Sequence, residues 1–584
     1  MSVDPIKNTP LETFLASSYF FYACLLAPLV LCFPSLFVGL VGDDYYHKAI
    51  LTNSLPYPSN PLMGLFTFFS GEEGQNQYLI DIGVLSWWSD TQVHASFMRP
   101  ISALTHAIDY IIWPDMIILH HLHSMLWMTA CIWMSYQLFL LILPQSNIWW
   151  LPSCALLVFA VEDAHAIATS WLANRNSCIA FFFALLCLTH HVCWHKSDKQ
   201  NPTTLYKSQF YFLLALLSGE SGICIWGYII LYNYIFDEKK SYKSQIQVNI
   251  PYIFWIIVWR ILYRGMGFGT FGSSLYIDPL QSPLLFLEEF LFRGPLLFAS
   301  MYLQFPTEIG LFTPSFSKGV LQFCCILFFI IVARWISIQN HRQLSFFFWG
   351  SVLSIVPLCG AFPMERLLLF PSLGFAATIS LVIQMNVANW IKKTLLLMHI
   401  PIAVGFHILK GGNLFLMHHI FSTGYQSVPE EIQTQQSIFF INGMELPCAY
   451  TTILSFDNER NFRGISMLSS SSKKSVLTRL SDTDFSLSYD EGMFEGTFDR
   501  MTLNSNHIFK QNTTIERENF SVTILDTIDG EPSLIQFHIP KGIDHPDFIW
   551  LYQDGLTFLP FAFPPVNQSI IIEPFFTTFF EKDP

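Results

Sequence analysis

Long apolar runs separated by short polar breaks fill the first 410 residues of the chain. A membrane crossing needs about 20 apolar residues, within a usual range of about 17–25. On that measure, spans are expected at 19–41, 117–142, 148–163, 176–194, 206–219, 222–236, 249–264, 318–338, 344–361, 367–386 and 391–410, about eleven in all. The third, fifth and sixth are short for a crossing. From 411 onward the pattern changes. Short alternating runs at 437–441, 450–454, 520–525 and 533–538 are separated by Asn, Asp, Gly and Ser clusters. Period-two alternation broken by turn residues predicts β-strands. The expected fold is therefore a polytopic α-helical membrane protein with a C-terminal β-rich extracytoplasmic domain. A membrane domain is expected at 1–410, with a long first outside loop at 42–116, and the β-rich domain at 411–584.

Composition strengthens the membrane reading. The 584 residues are 52% hydrophobic and only 12% charged, against about 25% charged in soluble domains. A net charge of −13 gives no expectation of nucleic-acid binding. All but one of the twelve cysteines lie in or beside apolar runs, where a thiol behaves as a small hydrophobe. Cys448 is the exception, so no disulfide is expected within the C-terminal part. The run 19–41 is too long for a signal-peptide core and lacks a basic segment before it, so it reads as a retained first span.

Charge placement suggests an orientation. With the N-terminus inside, the inner loops fall at 143–147, 195–205, 237–248, 339–343 and 387–390. The first is uncharged. The others are bordered by Lys196, Lys199, Lys207, Lys239, Lys240, Lys243, Arg342, Lys392 and Lys393, as the positive-inside rule expects. This requires a turn near Ser218-Gly219-Glu220-Ser221. The outside then receives 42–116, the loops near 164–175, 265–317 and 362–366, and everything after 411. Segment 283–303 is apolar but carries Glu288, Glu289 and Arg293. Each would cost about 2.5–3.5 kcal/mol at mid-bilayer, so an interfacial helix is expected.

Candidate chemistry clusters on the expected outside. Asp43 and Asp44 follow the first span directly; such a pair could supply a general base or hold a divalent cation, or simply end a helix in water. Arg99-Pro100 opens a stretch with helical apolar spacing, and Arg99 could grip a phosphate. The loop Glu162-Asp163-Ala164-His165 to Trp171–Arg175 could build a polar pocket. Glu220 stands at the break between two short spans, and Glu365 and Arg366 at another membrane face. His120, His121 and His123, like His190, His191, Cys193 and His195, favour packing or hydrogen bonding over metal ligation. Gly267-x-Gly269-x-x-Gly272 matches a dinucleotide fingerprint formally, but follows a span instead of a strand, so no nucleotide site is expected.

Four of these motifs, in order, resemble the GT-C superfamily of membrane glycosyltransferases, and in particular the membrane domain of transmembrane-and-TPR O-mannosyltransferases and their uncharacterised bacterial relatives. They are Asp43-Asp44, the Arg99-Pro100 helix running to His120, Ala160 to Arg175, and Glu365 to Gly374, over about residues 19–410. The resemblance implies transfer of a sugar from a polyprenyl phosphate to a glycan, lipid or protein hydroxyl on the outer face of the cytoplasmic membrane. It assigns the base to Asp43 or Asp44, and phosphate contacts to Arg366, Arg175 and Arg99. His165, Glu220 and Glu365 complete the expected substrate-binding set. Metal ligands are not assigned, although a divalent cation is compatible. Glu162-Asp163 replaces the family's His-Pro, and a β-rich domain stands where the TPR array would be. A transporter of lipid-linked sugars and a non-catalytic envelope assembly protein are the competing readings.

Overall fold

The computed structural model describes residues 10–574 except 16, 56–59, 144–149, 198, 238–241, 314, 431, 433–435, 459, 461–463, 471, 495–498, 505 and 506. Lys239, Lys240 and most of the uncharged inner loop at 143–147 lie outside the described residues. The chain divides into two compact units. One comprises Met1–Gly39, Phe97–Met266 and Ser282–Phe415; the other Leu40–Ser96, Gly267–Gln281 and Leu416–Pro584. The sequence suggests one boundary at 410–411, whereas both units are built from three separate segments.

The first unit is helical. Among the described residues, seven helices are long and apolar enough to cross a membrane: Ser18–Phe37, Ile117–Ile142, Leu172–Lys196, Gln245–Gly265, Ser317–Ile338, Glu365–Gln384 and Asn389–Ser427. The four remaining expected spans are helices as well, but shorter: Leu151–Val161, Pro202–Ser218, Ile225–Phe236 and Arg342–Leu358. At 1.5 Å per residue, a helix of 11 or 12 residues reaches only about 17 Å, short of a hydrocarbon core of about 30 Å. The turn expected after Ser218 is present as a 3-10 segment, Glu220–Cys224. Gly222 is needed there, because a Cβ would fall 2.6 Å from the Ala215 backbone. The last span does not stop at 410. It continues to Ser427, a helix of 39 residues that tolerates Pro401 by widening into a π-helical turn at Met398–Ile402. Segment 283–303 forms the helix Pro283–Leu303. Its first half exposes Leu284, Leu287 and Leu291, and most of its second half is buried from Arg293 to Tyr302, with Arg293 bonded to Glu289 at 2.8 Å.

The Glu365–Gly374 segment is pinned from below. The Tyr228 hydroxyl donates to the Phe370 carbonyl at 3.1 Å and accepts the Gly374 N–H at 3.0 Å. Gly374 permits this approach, since a Cβ would meet the Phe347 carbonyl oxygen at 2.1 Å.

The second unit is mostly β. Thr67–Ser70, His94–Ser96 and Gly269–Phe271 form a small antiparallel sheet. A six-stranded antiparallel sheet runs in the order Ser569–Ile572, Ser475–Arg479, Asp484–Ser488, Glu531–His538, Ser521–Ile528, Thr513–Glu516. A four-stranded sheet runs Thr557–Pro560, Phe548–Asp554, Ser437–Phe440, Gly464–Met467. Alternate residues Phe485, Leu487, Val522, Ile524, Ile535 and Phe537 point into one core shared with Phe439, Trp550 and with Trp87 and Trp88 of the early segment. One expectation fails here. Residues 450–454 are not a strand; they belong to the helix Glu445–Asp457. Ser437–Phe440 and Gly464–Met467 are parallel neighbours, and a parallel pair needs a crossover, usually helical. Glu445–Asp457 is that crossover.

Candidate functional site

Four groupings in the helical unit gather the candidates read from the sequence; the Arg293–Glu289 and Lys199–Asp237 pairs stand apart from them. The most buried is built on Arg175, which opens the helix Arg175–Lys196 and is fully enclosed. Its Nη1 donates to the Asp109 carboxylate, its Nε to Ser124 Oγ at 2.8 Å and its Nη2 to the His120 carbonyl at 2.8 Å. The second Asp109 oxygen accepts from His123 Nδ1 at 2.6 Å, while His123 Nε2 accepts the Trp127 indole N–H at 3.0 Å. Accepting on Nε2 fixes the proton of a neutral imidazole on Nδ1. Burial alone would raise the Asp109 carboxyl; the His123 hydrogen bond and the Arg175 charge hold it below the usual range.

The second grouping was not expected from sequence. Lys410, within the long last helix, pairs with both Asp163 and Glu365. Glu162 is buried beside them, and its Oε2 has no hydrogen-bond partner among the described residues. Its carbonyl accepts from His407 Nδ1 at 3.0 Å. The third grouping joins two expected candidates: Arg99 Nε donates to Glu220 at 2.7 Å, and its guanidinium lies 4.6 Å from the Phe97 ring centre.

Arg366 is the fourth. It donates from Nη1 to Asn174 Oδ1 at 3.1 Å and from Nε to Met364 Sδ at 3.3 Å. Trp171 and Phe362 present their faces to it at 5.5 and 5.7 Å. Among the described residues it has no carboxylate partner. Trp171 and Asn174 come from the third motif and Arg366 from the fourth, so these two motifs meet. They meet again at His165, whose Nε2 lies 2.8 Å from Ser372 Oγ. Ser372 spends its own proton on the Leu369 carbonyl, so His165 is the donor.

The other histidines pack and hydrogen bond, as the sequence reading favours. His121 lies between the carbonyls of Ser170 and Gly39. His191 is held by Tyr252 and Asn233, each at 2.9 Å. Among the described residues, no group of three His, Cys, Asp or Glu side chains is placed to hold a metal ion.

The acidic pair belongs to the second unit. Gly42, with φ of 55°, turns the chain into the helix Asp43–Leu51. Asp44 is buried and accepts the Val41 N–H at 3.0 Å. Asp43 is half-buried and accepts the Tyr450 hydroxyl at 2.5 Å. Tyr450 and Lys410 are the residues that sequence reasoning missed. Lys410 stood at the expected end of a span, where a lysine reads as an interfacial anchor. Tyr450 stood in an expected strand.

No family model matches the chain, and no curated protein is similar to it at a significant level. Solved structures do show a likeness. The chain is 10% identical to the oligosaccharyltransferase of Archaeoglobus fulgidus, crystallised in the apo form, with a TM-score of 0.39 over 77% of this chain and 64% of that one. It thus spans less than two thirds of that enzyme's length. It is also 10% identical to ArnT from Cupriavidus metallidurans, crystallised with undecaprenyl phosphate, with a TM-score of 0.32 over 77% of this chain and 90% of that one. Likeness at these scores says nothing about which residues act.

Proposed function

We propose that the chain is a glycosyltransferase that moves a sugar from a polyprenyl-phosphate donor to an envelope acceptor hydroxyl on the outer face of the cytoplasmic membrane. The observation that supports it best is Arg366. In the same unit Arg99, Arg175, Arg293 and Lys410 each have a carboxylate partner. Arg366 instead has an amide oxygen, a thioether and two aromatic faces, which orient a guanidinium without neutralising it. A phosphate could then supply the missing negative charge, and arginine's planar fork can meet it with two parallel hydrogen bonds. Arg175 is committed to Asp109 and serves the fold. In its own unit Asp43 is the better base, because Asp44 is buried on the Val41 N–H. A placed base typically contributes about 10²–10⁴-fold.

The test compares envelope glycans by mass spectrometry in the wild type, a deletion, and deletions rescued with Arg366→Gln or Asp43→Asn at matched protein levels. The same sugar modification should vanish from the deletion and from both variants. Full restoration by both variants would remove the transferase reading and favour an assembly role.

One observation favours transport of a lipid-linked sugar as a second reading: Lys410, Asp163 and Glu365 are ionisable groups brought together among apolar helices. A transporter would lose function on Lys410→Met while tolerating Asp43→Asn.

A further inference from the structure

Asp43 does not stand alone in its unit. The parallel pairing of Ser437–Phe440 with Gly464–Met467 requires a crossover, and the crossover helix Glu445–Asp457 carries Tyr450 to the acidic pair. We infer that Tyr450 is a positioning residue, whose phenol holds the Asp43 carboxylate in the orientation in which it takes the acceptor's proton. This rests on the assignment of Asp43 as the base.

Three features carry the inference. The Tyr450 hydroxyl donates to the Asp43 carboxylate, and a hydrogen bond to an ionised acceptor is about twice as strong as a neutral one. The phenol is itself fixed: the Tyr450 ring meets Phe421 edge-on at 5.0 Å and Tyr45 at 6.3 Å. The helix Asp43–Leu51 is tied to the same crossover helix further along, by Lys48 and Asp457 at 2.6 Å. Two ties in register stop one helix from sliding or rolling against the other. Burial and the Asp43 charge push the phenol above its ordinary range, so Tyr450 keeps its proton and acts only as a donor. Among the described residues, Asp44, Tyr45, Tyr276, Lys48, Asp457 and His418 are other titratable groups around this contact.

In the reaction, the proton of the acceptor hydroxyl passes to the Asp43 carboxylate as the acceptor oxygen bonds to the sugar's anomeric carbon. The bond from that carbon to the phosphate oxygen breaks, and the polyprenyl phosphate departs with the electron pair. Tyr450 enters no bond-making step. It keeps one carboxylate oxygen engaged and favours the ionised form that the base needs.

The test uses membranes containing the full chain and follows the sugar modification that the deletion lacks, per amount of folded protein. Tyr450→Phe preserves the ring and removes the donor. The rate should fall about 10–100-fold, the equivalent of one hydrogen bond to a charged group, with the donor KM unchanged. The acidic limb of the pH–rate profile should move to higher pH, because the carboxylate loses a donor that favours its charged form. Replacing Tyr450 by 3-fluorotyrosine, a stronger donor of nearly the same shape, should move that limb to lower pH; this arm decides the matter if Tyr450→Phe does not fold. If Asp43→Asn is inactive while both Tyr450 changes leave rate and profile unaltered, the positioning role is overturned and the base assignment stands. If Asp43→Asn retains full activity, the base assignment falls and this inference falls with it.

Discussion

Arg175 and Arg366 come from neighbouring motifs of one helical unit, and the sequence raised the same phosphate-binding expectation for both, yet their surroundings differ in kind. Every nitrogen of Arg175 is bonded inside the protein, and its charge is balanced by an equally buried Asp109. Arg366 is held by neutral groups and aromatic faces. A charge compensated by the fold is part of the fold. A charge oriented but left uncompensated can meet a charged ligand. The motif alone cannot separate these two cases, because both place an arginine at a helix start beside polar residues.

Four experiments press on that contrast. Arg175→Met should have the largest effect, leaving Asp109 buried without its cation. Such losses cost about 3–5 kcal/mol, and the thermal midpoint in detergent should collapse, whereas Asp109→Asn combined with Arg175→Met should recover part of it. Arg366→Gln should leave that midpoint nearly unchanged and cut transfer at least about 100-fold, with Arg366→Lys intermediate because a point charge cannot form the bidentate contact. An unfolded Arg366→Gln protein would erase the contrast.

The third experiment concerns an acid. Glu445 is buried in the second unit, and among the described residues its carboxylate has only long contacts, to Ser86 and Thr502 at 3.3 and 3.4 Å. Burial, then the Asp499 charge, pushes its carboxyl from 4.5 up to about 8. Below 4.5 the folded and unfolded chains both hold that proton. Between 4.5 and 8 only the folded chain holds it, so stability contributed by the neutral form is lost as pH rises through this window. The unfolding midpoint should therefore fall from pH 5 to pH 8.5, and Glu445→Gln should flatten the decline. Smallest of all is the partly open Arg99–Glu220 pair, whose side chains are 19% and 26% exposed. A double-mutant cycle there should give at most about 1 kcal/mol.

The long spans were legible because 20 consecutive apolar residues have few other uses. The four short helices were legible as apolar runs but not by length. Residues 450–454 misled for a definable reason: Tyr450 to Ser455 are all buried. A run buried on every side carries neither a 3.6 nor a 2.0 period, so alternation seen there was accidental. Arg366 and Glu220 of the helical unit, and Asp43 of the other, were legible as polar residues beside apolar runs. The sequence could not reveal that Arg99 faces Glu220, or that Lys410 takes up Asp163 and Glu365, because those partners are far apart along the chain. Asp43 and Asp44 read as equivalent until the backbone separated them, one to Val41 and one to Tyr450.

The second unit's three-part origin has a consequence for biogenesis. Trp87 and Trp88 are synthesised early, but the core that covers them includes Phe494 and Phe537, made after every membrane segment. Until those residues are made, the two indole rings lack aromatic partners that bury them in the finished fold. Burial of Trp87 and Trp88 therefore reports that the C-terminal part of the chain has been added and has folded onto them.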